Sequence, residues 1–109
     1  MTQDKIIAVD FDGTITTKSS YPITGNIRPE AITVLKKLQK QYKLLLWTVR
    51  EGKDLAQALR MLREYDLVFD YVNEIPEQTS RKPHVEMWID DKGYGTKIDW
   101  QKIGEYFNV

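Results

Sequence analysis

The chain has 109 residues, 41% of them hydrophobic and 29% charged, and its 16 basic and 16 acidic side chains cancel. That length suits one domain, residues 1–109, with a real core and no room for a second, and the charge balance excludes a polyanion-binding surface as the default, so no nucleic acid is expected as partner. The absence of cysteine excludes a disulfide framework, a thiolate nucleophile and a cysteine zinc site.

Lys5 to Asp10 is predicted as the first strand, carrying the β-branched run Ile6-Ile7-Ala8-Val9. Asp10 and Asp12 follow two residues apart, a spacing that lets both carboxylates point the same way in extended chain before Gly13 and Thr14 turn it. Acids at the mouth of an apolar strand are costly unless a metal ion, a phosphate or a proton uses their charge. Residues 15 to 28, with Ser19, Ser20, Pro22, Gly25 and Asn26, read as a loop or short flap. Pro29-Glu30 opens a helix whose apolar face is Ala31, Val34, Leu35, Leu38 and Tyr42.

Lys43 to Thr48 is the second strand; its unbroken Leu44-Leu45-Leu46-Trp47 run predicts cover on both faces, as in a parallel sheet. A second helix runs from about Gly52 to Tyr65 on Leu55, Ala58, Leu59 and Leu62. Leu67 to Val72 is a weaker strand interrupted by Asp70, and residues 73 to 83 are loop. Val85 to Ile89 is another apolar strand, ending in Asp90-Asp91. After the turn at Gly93 and Gly95, Asp99 caps a last helix bearing Trp100, Ile103 and Phe107. Strands alternating with helices predict an α/β fold with a mainly parallel central sheet and helices on its faces. No apolar run approaches the roughly 20 residues of a membrane span. The first residues lack the features of a signal peptide, so a cytoplasmic protein with no membrane partner is expected.

Ligands of open parallel sheets bind beyond the carboxyl ends of the strands. Asp10 and Asp12, Thr48 and Arg50, and Asp90 and Asp91 all close strands at that edge, and Lys82 precedes the last of them. Carboxylates favour a hard cation such as magnesium, while a lysine and a hydroxyl hold phosphate oxygens; the set suits metal-assisted phosphoryl transfer.

With these residues in view, the chain resembles the haloacid dehalogenase superfamily phosphatases over nearly its whole length. The first motif of that family stands as Asp10-Phe11-Asp12-Gly13-Thr14-Ile15, the second as Leu44-Leu45-Leu46-Trp47-Thr48, the third as Lys82-Pro83 and the fourth as Trp88-Ile89-Asp90-Asp91. The resemblance implies a Rossmann-like three-layer sandwich with a minimal cap. It implies Asp10 as nucleophile forming an aspartyl-phosphate, Asp12 as acid and base, and Thr48 and Lys82 as ligands of the phosphoryl group. It further implies magnesium held by the Asp10 and Asp90 carboxylates and the Asp12 backbone carbonyl, with Asp91 direct or through water. Gly13 lets the backbone turn close to the site. Arg50 either binds a substrate carboxylate or phosphate in the same cleft, or pairs at the surface with Glu51 or Asp54.

His84 lacks a partner ligand at metal spacing and is read as structural or peripheral, and Trp47, Trp88 and Trp100 are read as core. Tyr21 either closes over substrate or anchors its loop. Within the family, Asp12 argues against a dehalogenase, and the short flap argues against a phosphomutase that shields its intermediate from water. The expected activity is a magnesium-dependent phosphomonoesterase acting on a small phosphorylated metabolite, a sugar phosphate or a nucleotide, in a possible homo-oligomer. A silent phosphate-binding or interaction module of the same fold is the alternative.

Overall fold

The computed structural model describes residues 5–18, 24–76, 78, 84–90 and 98–109. Its elements in chain order are β1 (Ile6–Asp10), α1 (Pro29–Leu38), β2 (Lys43–Trp47), α2 (Gly52–Arg63), β3 (Tyr71–Val72), β4 (Met87–Ile89) and α3 (Trp100–Tyr106). The four strands form one sheet in the order β3-β2-β1-β4, and every pairing is parallel. This is the α/β, Rossmann-like architecture expected from the sequence.

The register pairs Ile7 with Leu44 and Met87, and Val9 with Leu46 and Ile89, so these side chains share one face. They pack with Ala31, Ile32, Val34, Leu35 and Leu38 of α1, Ala58 and Leu62 of α2, and Trp100 of α3. The opposite face, with Ile6, Ala8 and Leu45, packs against Ile75 and, half-buried, Val85, Trp47, Tyr71 and Trp88. The described helices therefore gather on one face, and Ile75 and Val85 from the chain between β3 and β4 lie on the other. The cause is topological. Strand order runs from β1 through β2 to β3 in one direction, and right-handed crossovers in one direction keep α1 and α2 on one side. The next crossover reverses direction to place β4 beside β1, which carries it to the other side.

Helix α1 begins with Pro29 and has Glu30 in its first turn and Lys36 and Lys37 in its last, matching the helix dipole at both ends. Helix α3 starts where Asp99 accepts the Lys102 N–H at 3.1 Å. Strand β3 is shorter than the run Leu67 to Val72 predicts. The Asp70 carboxylate accepts the Leu44 N–H at 2.8 Å, so a side chain takes the position of a backbone carbonyl, and the ladder begins one residue later. Leu67 and Phe69 are buried in the helix-side core without joining the strand.

The base of the flap is pinned: Thr16 bridges Ile27 antiparallel, and the Arg28 N–H donates to the Ile15 carbonyl at 2.8 Å. Gly25 sits so close that an added Cβ would meet the Lys18 nitrogen at 2.5 Å. Among the described residues no helix is long and apolar enough to cross a membrane.

Candidate active site

Strand order reverses between β1 and β4, and in open α/β sheets that reversal opens a crevice at the carboxyl ends. Asp10 is the last residue of β1. Asp90 follows the last residue of β4, and because Val9 pairs with Ile89 the two aspartates occupy adjacent register positions. Neighbouring strands lie about 4.8 Å apart, so the parallel pairing alone sets these two acids side by side.

The turn after β1 is built on one carbonyl. The N–H groups of Thr14, Ile15 and Thr16 all donate to the Phe11 carbonyl, at 3.3, 3.0 and 3.1 Å. Gly13 sits at φ 79°, in the left-handed region where a side chain is strained, and its N–H donates to the Thr16 hydroxyl at 3.1 Å. Thr14 then donates its hydroxyl to Asp10 Oδ2 at 3.2 Å. From the far end of the chain, the buried Trp100 indole N–H donates to the Thr14 carbonyl at 2.8 Å. The acidic turn is thus tied to α3.

Thr48 follows β2 directly, on the strand next to β1. Its N–H donates to Asn73 Oδ1 at 2.7 Å, and its hydroxyl accepts the Arg50 N–H at 3.1 Å, which leaves the use of its own O–H proton to another contact. Asn73 stands just beyond β3 at φ 59°, with its own N–H on the Leu46 carbonyl. Asparagine tolerates that conformation better than most residues. A polar residue closing the third strand at the same edge was a signal for Asn73, hidden by its placement in the 73–83 loop.

Arg50 departs from both roles considered for it. It is only 1% exposed. Its Nε donates to Asp12 Oδ2 at 2.8 Å and its Nη2 to Asp12 Oδ1 at 2.7 Å, a bidentate pair buried beneath the site. The Nη2 group also donates to the Thr24 hydroxyl at 2.9 Å, and Nη1 to the Asp54 carbonyl at 3.3 Å. The Phe11 ring lies under the guanidinium, 5.1 Å from its central carbon. Neither a surface ion pair nor a group open to incoming anions describes it.

Asp10 and Asp12 are consequently given different surroundings: Asp10 stands half-buried at the strand end, whereas Asp12 is gripped from below. For a hard cation this edge offers the Asp10 and Asp90 carboxylates, while the Asp12 side chain is engaged by Arg50. No group of three or more His, Cys, Asp or Glu side chains clusters for a metal among the described residues. Magnesium needs only one or two protein carboxylates besides water and substrate phosphate, and the Asp10–Asp90 pair fits that requirement.

Lys82, Asp91 and Tyr21 lie outside the described residues. His84 is exposed, with its N–H on Gln78 Oε1 at 2.7 Å. Trp47 and Trp88 meet edge to face at 5.5 Å on the sheet face away from the helices, and Trp100 is core.

Neither a protein-family model nor a curated protein matches the chain. A solved structure, that of a conserved protein from Bacteroides thetaiotaomicron, is similar to it at 39% identity and a TM-score of 0.84, over 97% of this chain and 91% of the other.

Proposed function

The chain belongs to the same family as the conserved Bacteroides thetaiotaomicron protein, and from its own residues we propose that it is a magnesium-dependent phosphomonoesterase of the haloacid dehalogenase type. The observation that carries this reading is the juxtaposition of Asp10 and Asp90 at the reversal of strand order, with the Asp12-Gly13 turn and Thr48 at the same edge. Its substrate is a phosphorylated metabolite, a sugar phosphate or a nucleotide, in the cytoplasm.

An oxygen of the Asp10 carboxylate attacks phosphorus, and the bond from phosphorus to the ester oxygen breaks as Asp12 gives that oxygen a proton. Asp12, now a carboxylate, takes a proton from water as the water oxygen attacks the phosphorus of the aspartyl-phosphate. The bond to Asp10 breaks, and inorganic phosphate leaves. Thr14 orients the nucleophile through its 3.2 Å hydrogen bond, and Thr48 binds the phosphoryl oxygens together with Lys82. Magnesium would be held by Asp10 and Asp90 together with the Asp12 carbonyl, and would supply positive charge to offset that of the acid and the phosphate.

The test is hydrolysis of p-nitrophenyl phosphate and a panel of phosphorylated metabolites with magnesium, comparing wild type with Asp10→Asn. Turnover lost in Asp10→Asn, together with a hydroxylamine-sensitive phosphoprotein in the wild type, is the expected result. Undiminished turnover in Asp10→Asn overturns the mechanism. Saturable phosphate binding without turnover of any ester replaces the reading with that of a phosphate-binding module.

A further inference from the structure

We propose that Arg50 is a positioning residue that sets the orientation of the Asp12 carboxylate; the inference rests on the phosphomonoesterase reading above. Among the described residues at least four of the five guanidinium N–H groups are directed within the protein, two to Asp12, one to Thr24 and one to Asp54. With the side chain 1% exposed, this pattern does not suit an arginine that receives substrate phosphate. It suits an arginine that holds an acid.

The geometry explains how. A planar fork meets a carboxylate in one orientation, so both torsions of the Asp12 side chain are fixed by the two bonds of 2.8 and 2.7 Å. The fork is itself held from three other directions: by the Thr24 hydroxyl, by the first turn of α2 through the Asp54 carbonyl, and by the Phe11 ring. Its backbone N–H is bound to the Thr48 hydroxyl, so the turn that presents Thr48 to the crevice also aims Arg50 beneath it. Asp12 must serve one oxygen position twice, first giving a proton to the leaving oxygen and then taking one from water. A carboxylate free to rotate would lose that placement in both steps. Lysine, with a rotating point charge, cannot reproduce the fork.

The experiment measures kcat and KM for wild type, Arg50→Lys, Asp12→Asn, Asp12→Asn/Arg50→Lys and Asp12→Asn/Arg50→Gln. Two esters are used, p-nitrophenyl phosphate with a good leaving group and glycerol phosphate with a poor one. For a group acting through the acid, Arg50→Lys is expected to lower kcat on glycerol phosphate by roughly tenfold or more, with KM little changed. The loss is expected to be smaller on p-nitrophenyl phosphate, whose leaving oxygen needs less proton assistance. In the Asp12→Asn background neither Arg50 substitution should lower kcat further.

A raised KM with unchanged kcat, an equal loss on both esters, or an additional loss in the Asp12→Asn background overturns the role of Arg50 while leaving the phosphomonoesterase intact. Wild-type inactivity toward both esters and every metabolite of the panel overturns the two together. Should Arg50→Lys not fold, the comparison of Asp12→Asn with Asp12→Asn/Arg50→Gln decides, because the double variant removes both charges of the buried pair together.

Discussion

Replacing Trp100 with Phe tests whether the C-terminal helix supports the acidic turn. Trp100 is 2% exposed, and its indole N–H reaches the Thr14 carbonyl at 2.8 Å across 86 residues of sequence. Phenylalanine keeps the aromatic packing but has no donor, so the buried carbonyl loses its partner, at about 1–3 kcal/mol. The smaller ring also leaves a cavity worth on the order of 1 kcal/mol. Together they remove about 2–4 kcal/mol from a stability typically of about 5–15 kcal/mol. At this chain length the melting temperature should fall by roughly 8–16 °C. Urea unfolding followed by circular dichroism gives the loss from the midpoint, provided the slope is unchanged. A loss below about 0.5 kcal/mol would refute the argument, because either term alone exceeds it.

Asn73→Gly removes the acceptor for the Thr48 N–H but accepts φ 59° without strain, whereas Asn73→Ala loses the bond and adds strain of about 1 kcal/mol. Thermal denaturation should therefore rank wild type above Gly and Gly above Ala; equal stability of the two variants would remove the strain argument. Asp66 stands at φ 60° where α2 ends and the Leu67 N–H returns to the Leu62 carbonyl. Asp66→Gly is expected to be stabilising by about 0.5 kcal/mol, relief of strain outweighing the added freedom of the unfolded chain, and a lowered melting temperature would contradict it. Chelation of divalent cations should abolish phosphatase turnover, and added magnesium should restore it; full activity in excess chelator would exclude a metal role for Asp10 and Asp90.

Much of this fold was legible in the chain because it is local. The unbroken Leu44-Leu45-Leu46-Trp47 run marks a strand covered on both faces, and the spacing of Ala31, Val34, Leu35 and Leu38 marks a helix face; all four of the latter are buried. Pro29 and Asp99 signal their helix starts by chemistry that acts within one turn. Gly13 announces a turn that side chains resist, and it adopts φ 79°. The limits of β3 were not legible, because Asp70 competes with a backbone carbonyl for the Leu44 N–H, 26 residues away.

The sequence by itself thus determined the parallel α/β fold, and it identified polar strand ends at one edge of the sheet. Which of those residues face one another was decided by the tertiary structure. Strand order alone puts Asp90 beside Asp10, since β4 joins the sheet on the far side of β1 from β2. Arg50 reads as a side chain that meets a ligand or pairs at the surface with Glu51 or Asp54, until the fold brings it to Asp12, 38 residues earlier. The physical reason is common to these cases. Periodicity and capping are set by neighbours a few residues apart, whereas the partner of a buried charge is whatever group the packed core brings to it.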